Sequence, residues 1–138
     1  LMGSHEGFSG RYPANFAKFK AQHYPDKPEN QRQLQSEYDN SILYNDSIVA
    51  QLIQLFDTNS SVVIYLPDHG LDIFETDPEY AGHARPQNPE SFKAGVEIPF
   101  IITNPFSSSY NKDEYFNATN IFQYICDIAK ISISEEQP

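Results

Sequence analysis

At 138 residues the chain has room for one compact domain and not for two large ones. Its formal net charge of −10, from 9 basic and 19 acidic residues, lacks the basic footprint that a phosphate backbone requires, which excludes a nucleic-acid partner. No stretch approaches the ~20 apolar residues that cross a bilayer, and no charged-then-apolar leader pattern follows Leu1. The negative balance still leaves room for an anionic substrate, because a bound metal ion dominates its local field.

Residues 1–30 read as loop, punctuated by Gly3, Gly7, Gly10, Pro13, Pro25 and Pro28 and interleaved with Phe8, Tyr12, Phe16, Phe19 and Tyr24. A short helix is predicted over Ala14–Lys20, with Pro13 near its first turn. The strongest helix candidate is 31–57, where Leu34, Tyr38, Ile42, Val49, Ile53 and Phe56 recur at helical spacing and Leu52 and Leu55 widen the face. Asp57-Thr58-Asn59-Ser60 supplies turn chemistry at its end. Ser61–Leu66 is a continuous apolar run of the kind that parallel strands buried on both faces show. Residues 67–95, with four prolines and three glycines, show no convincing period and are read as a long functional or mobile loop. Glu97–Thr103 reads as a second strand, with Pro99 placing it at an edge or at the strand's start. After a polar loop over 104–118, Thr119 or Asn117 is positioned to cap a final helix near 119–131 with Ile121, Phe122, Ile125, Ile128 and Ala129 on its face. The sole cysteine, Cys126, is predicted to be a small core residue of that helix. The tail from Ser134 to Pro138 is polar and expected to fray. Helix, strand, loop, strand, helix predicts α/β architecture. So few strands imply a piece of a larger sheet, and a start inside a loop agrees with that.

Asp68-His69-Gly70 directly follows the apolar run. A carboxylate oxygen and an imidazole nitrogen at that point can converge on one metal ion, and zinc accepts this mixture, usually with four ligands. Open α/β sheets place their ligand sites just beyond the carboxyl ends of such strands. The plainer alternative is a turn in which Asp68 bonds its own backbone and Gly70 takes a positive φ. Two further histidines lie in glycine-containing segments, His5 in Gly3-Ser4-His5-Glu6-Gly7 and His83 in Ala81-Gly82-His83-Ala84. Loops gather at one sheet edge, so His5, His69 and His83 can reach one crevice. Asp72, Glu75, Asp77 and Glu79 are read chiefly as a solvated acidic loop, with a supporting role around the site as the alternative. Tyr38-Asp39-Asn40-Ser41 is read as a packing segment that sets the long helix against a loop. Walker loops, paired cysteine motifs and Gly-x-Ser-x-Gly elbows are all missing from the sequence.

Pro67-Asp68-His69-Gly70, Gly82-His83 and Glu97-Ile98-Pro99-Phe100, taken in order, resemble the C-terminal half of the sulfatase-like domain of bacterial phosphoethanolamine transferases. Leu1-Met2-Gly3-Ser4-His5 with Arg11-Tyr12-Pro13 and Phe16 resembles that family's glycine-histidine loop. Tyr38-Asp39-Asn40-Ser41-Ile42-Leu43-Tyr44 with Asp46 resembles its central helix. The resemblance spans roughly residues 1–105. It implies part of an alkaline-phosphatase-like layered sheet with flanking helices, on the periplasmic face of the bacterial inner membrane. It implies zinc held by Asp68 and His69, with His5 and His83 beside the substrate phosphate or at a second metal. The implied reaction moves phosphoethanolamine from a phospholipid donor, through a threonine, to lipid A or another envelope glycan. Pro67 and Leu71 depart from the serine and glutamate common at those positions. The threonine and an acidic zinc ligand belong to the family's earlier half, so the chain is expected to carry an incomplete zinc site, to be inactive by itself and to self-associate through uncovered edges. A sulfatase or phosphoglycerol transferase of the same superfamily is one alternative. A catalytically dead domain that binds an anionic glycan is another.

Overall fold

A computed structural model describes residues 4–56, 60–103 and 115–132. Its backbone element is a helix over Glu29–Gln54, α1, free of glycine and proline throughout. Strand β1 is Val63–Tyr65 and β2 is Asp72–Ile73. Strand β3 is Ala81–Gly82 and is followed by helix α2, Pro89–Val96. Strand β4 is Ile101–Thr103, and helix α3 is Ile121–Ala129. Short 3₁₀ turns occupy Phe8–Gly10, Ala14–Phe16, Ala21–His23 and Ala118–Asn120.

Several expectations are corrected. The helix predicted over Ala14–Lys20 is a single turn at Ala14–Phe16; beyond it the Phe19 N–H and carbonyl bond the Asn40 side chain in place of a helical partner. The strand at 61–66 is shorter and half-buried. It pairs antiparallel with β4, Val63 opposite Thr103 and Tyr65 opposite Ile101, where a parallel strand buried on both faces was expected. All three strand residues are half-buried, and Tyr65 receives a 3.1 Å hydrogen bond from Asn45 of α1. Residues 67–95 hold a tiny hairpin and α2, where loop alone was expected. In α2 the Asn88 side chain accepts from the N–H groups of Glu90 and Ser91, and Pro89 fills the first turn, where its missing N–H costs nothing. Eight residues are too few to display a helical period. At the last helix, Asn117 caps the 3₁₀ turn through the Thr119 N–H at 3.0 Å, and α3 starts only at Ile121. Residues 57–59, most of 104–118 and the tail 133–138 lie outside the described residues.

The long helix is held by polar contacts more than by its apolar stripe. Ser36, Asn40 and Ser41 are buried, while Ile42, Leu52, Leu55 and Phe56 remain exposed. Asn40 acts as a piece of strand edge. Its Oδ1 accepts from the Phe19 N–H at 2.8 Å and its Nδ2 donates to the Phe19 carbonyl at 2.9 Å. That double bond fastens the loop preceding α1 along its flank. Tyr24 reinforces it by donating to Asp39, and Arg32 reaches back to the carbonyls of Lys27 and Pro25. Two edge-to-face ring pairs fill the gap, Phe8 on Tyr38 at 5.2 Å and Phe16 on Tyr44 at 4.9 Å. Burial of a ring such as Phe8 stabilises by about 2–3 kcal/mol. A second cluster stacks Phe100 on Phe116 at 4.6 Å and sets Tyr124 against both, which docks α3 beside β4. Cys126 is buried there as a free thiol, in keeping with its reading as a core residue.

Replacing Asn40 by alanine removes the partner of both backbone groups of Phe19 and leaves a gap at a buried position. The expected loss is about 2–4 kcal/mol in urea unfolding. Asn40→Asp, which keeps the acceptor and loses the donor, should fall between Asn40→Ala and the unaltered protein.

Candidate active site

Asp68 leaves the sheet three residues after Tyr65, the last residue of β1. Its Oδ1 accepts from the His69 N–H at 3.1 Å, so part of the plainer turn reading holds. Gly70, however, is not in the left-handed region; among the described glycines only Gly7 has a positive φ. Glycine is required at 70 by proximity. A Cβ there would lie 2.2 Å from the Ala94 carbonyl oxygen, and the Gly70 N–H donates to the Gly95 carbonyl at 2.7 Å. Gly95 is constrained from its other side, since a Cβ on it would sit 2.3 Å from the Ala84 Cβ.

The hairpin register sets the next distance. Asp72 lies opposite Gly82 and Ile73 opposite Ala81, so the segment before β2 runs beside the one after β3. His69 and His83, 14 positions apart in sequence, thereby meet edge to face with ring centroids 4.7 Å apart. His5 approaches from the loop before α1, its ring 6.4 Å from that of His83. All three line a cavity of about 830 Å³ together with Asp68, Tyr38 and Asp46.

The His69 ring is oriented by its own neighbour, as Nδ1 lies 2.8 Å from the Gly70 carbonyl oxygen. A carbonyl only accepts, so Nδ1 carries the proton and the neutral ring keeps its lone pair on Nε2. That Nε2 lies 3.9 Å from Asp68 Oδ2, and both side chains are accessible to the cavity. Two ligands each about 2.0–2.1 Å from a tetrahedral zinc lie roughly 3.3 Å apart, so a small rotation of the exposed carboxylate suffices. Donor chemistry, free lone pair and spacing therefore fit half of a zinc ligand set. No group of three or more His, Cys, Asp or Glu among the described residues is arranged to hold a metal.

The acidic segment was expected to be chiefly solvated, and Asp72 corrects this. It is fully buried, with the carboxylate taking hydrogen bonds from the Thr76 hydroxyl and from the N–H groups of Glu75 and Thr76. Burial opposes ionisation, but these bonds, with one from the Ser91 hydroxyl, prevail and hold the carboxyl below its usual range. Ser91, also fully buried, accepts from the Arg85 N–H at 3.0 Å. Asp72 and Ser91 thus tie the hairpin to α2. Asp77 pairs with Arg85 at 2.9 Å, while Glu75 lines the cavity. Tyr38 was read only as packing, yet it also faces the cavity. Burial, with the nearby Glu75 and Asp39 charges, raises its pKa and keeps the phenol a donor. Its place in the Tyr38-Asp39-Asn40-Ser41 signature was the available signal.

The family model described as Sulfatase matches residues 1–131. Phosphoethanolamine transferase EptC of Escherichia coli K12 is 30% identical over an alignment of 152 positions that takes in all of this chain and 26% of that protein. Kdo(2)-lipid A phosphoethanolamine 7''-transferase of the same organism is 30% identical over 101 positions, covering 72% of this chain and 17% of that protein. The crystal structure of the C-terminal periplasmic domain of EcEptC from Escherichia coli superposes with a TM-score of 0.81 at 27% identity, covering all of this chain and 42% of that one. The chain thus has the α/β fold of that part of the EptC domain, and spans about a quarter of the length of EptC itself.

Because the native pKa of Asp72 lies below its unfolded value, its network contributes fully above about pH 4 and is lost as pH falls through the native pKa. Asp72→Asn should cost about 2–3 kcal/mol at pH 7, and the deficit should shrink below about pH 4. Urea unfolding across that pH range measures both.

Proposed function

Because the chain belongs to the sulfatase family, we propose that it forms the C-terminal portion, residues 1–138, of the catalytic domain of a phosphoethanolamine transferase. Its acceptor is lipopolysaccharide or a related envelope glycan, met at the periplasmic face of the inner membrane. The observation that carries this reading is the meeting of three glycine-flanked imidazoles beside Asp68, in a chain similar along its whole length to EptC. Relatives named as transferases favour group transfer over sulfate hydrolysis. No helix among the described residues is long and apolar enough to cross a membrane.

Asp68 and His69 would hold zinc, with the remaining donors and the nucleophilic threonine supplied by residues outside this chain. A bound zinc supplies positive charge against the phosphoryl oxygens and lowers the pKa of an attacking hydroxyl. In this reading His5 and His83, beside Asp68 and His69 in the same cavity, meet the phosphoryl group of phosphatidylethanolamine. Their ring N–H groups donate to its oxygens, and one ring, entering as imidazolium, protonates the departing diacylglycerol oxygen and is left neutral. The same ring then takes the proton of the acceptor hydroxyl as phosphoethanolamine leaves the threonine. Tyr38, kept protonated, offers a further donor to the cavity.

The same reading accounts for apolar groups left bare. Leu55 is 77% exposed and Phe122 65% exposed, as expected of faces that the rest of the catalytic domain covers. The chain by itself should therefore associate in light scattering; a monodisperse monomer contradicts this.

Two measurements test the function. In the full-length protein, His69→Ala should reduce diacylglycerol release from phosphatidylethanolamine vesicles by at least about a thousandfold. A rate near that of the unaltered protein would remove His69 from the catalytic site, and no release even by the unaltered protein would leave only a binding module. Calorimetric titration of this chain with zinc should give a Kd weaker than about 1 μM, since two ligands cannot reach the affinity of a complete set. Tight stoichiometric binding at Asp68 and His69 would show the incomplete-site reading to be wrong.

A further inference from the structure

His83 presents its imidazole to His69 and His5, yet among the described residues no hydrogen bond holds that imidazole. Its direction is inherited from the backbone, and the backbone is fastened from both sides. On one side the Tyr80 hydroxyl donates to the His83 carbonyl at 2.5 Å. On the other, the Arg85 N–H donates to the buried Ser91 hydroxyl. The tyrosine reaches its acceptor by passing over Gly82, where a Cβ would lie 3.1 Å from the phenol oxygen and 3.3 Å from Cζ. The ring is itself clamped. The Arg85 guanidinium covers it at 4.1 Å from the centroid, within cation–π range. Asp77 pairs with that guanidinium, accepts from the Glu79 N–H through its carboxylate and from the Tyr80 N–H through its carbonyl. Asp77, Tyr80 and Arg85 therefore close a loop of contacts around a single carbonyl, that of the histidine at the cavity mouth.

We propose that Tyr80 is a positioning residue for His83: its hydroxyl, held under the Arg85–Asp77 pair, fixes the main chain from which the imidazole projects toward the reacting phosphoryl group. The inference rests on the transferase reading of the same cavity. A contact of this kind acts on the geometry of a catalytic group, so its loss appears in turnover more than in substrate binding, and misplacement by about 1 Å costs up to about a hundredfold.

In the full-length protein, Tyr80→Phe keeps the ring and its cation–π partner and removes only the hydroxyl. Turnover with phosphatidylethanolamine vesicles should fall about tenfold with KM changed less than about twofold. In a His83→Ala background, already slowed, Tyr80→Phe should cause no additional loss, because its effect passes through His83. Asp77→Asn, which loosens the clamp, should give a smaller drop that also vanishes in that background, and it serves as the reading variant if Tyr80→Phe fails to fold. Unchanged turnover in Tyr80→Phe, or a drop that persists undiminished without His83, overturns the positioning role. Failure of the transferase reading looks different: the unaltered full-length protein would release no diacylglycerol, or His69→Ala and His83→Ala would turn over at its rate.

Discussion

The mouth of the cavity hangs from one backbone contact, the Gly70 N–H on the Gly95 carbonyl. No other residue type fits at 70, because the Ala94 carbonyl already occupies the space a Cβ needs. Nor does a side chain fit at 95, which Ala84 abuts. These two glycines let α2 press against the turn that carries Asp68 and His69 and, through Ala84, against the segment after β3 that carries His83. A helix of eight residues thereby sets the separation of two chemically active segments. Asp72 and Ser91 lock the same arrangement with charge-assisted hydrogen bonds in a place that water does not reach.

Polar burial recurs throughout the chain. Asn40, Asp72, Ser41 and Ser91 rank among its most fully buried side chains, with Tyr124. A buried polar group is costly unless satisfied, and each of these four side chains is satisfied by main chain or by another side chain. The result is directional. Apolar packing tolerates small slides, whereas the two bonds between Asn40 and Phe19 exist at one register only. The loop bearing His5 is tied to the same helix, by these bonds at Phe19 and by Phe8 on Tyr38.

The parts of this design differ in how visible they are in sequence. The long helix was legible from its hydrophobic period and from twenty-six residues without a breaker. Asp68-His69 was legible because an apolar run ends just before it, and the nearness of three imidazoles followed from loops that share a sheet edge. The antiparallel partner of β1 was not legible, since an apolar run reads the same whichever way its neighbour points. The hairpin of β2 and β3 has two residues in each strand, too few for any alternation. The burial of Asp72 was hidden for a related reason: among four acids in eight positions, only the fold decides which one turns inward. α2 was hidden as well: eight residues show no period, and reading 67–95 as loop passed over its Asn88-Pro89 cap.

Across its described residues the cavity is lined by Glu6, Asp46, Asp68, Glu75 and Glu97 and by no lysine or arginine. Five carboxylates around one hollow make an electrostatic well for cations and a hill for anions. A phosphate diester approaching the imidazoles climbs that hill unless positive charge has arrived first. Dissolved salt screens such a field over about 8 Å at physiological strength, so added salt would ease the approach of an anion here, opposite to its effect at a basic pocket.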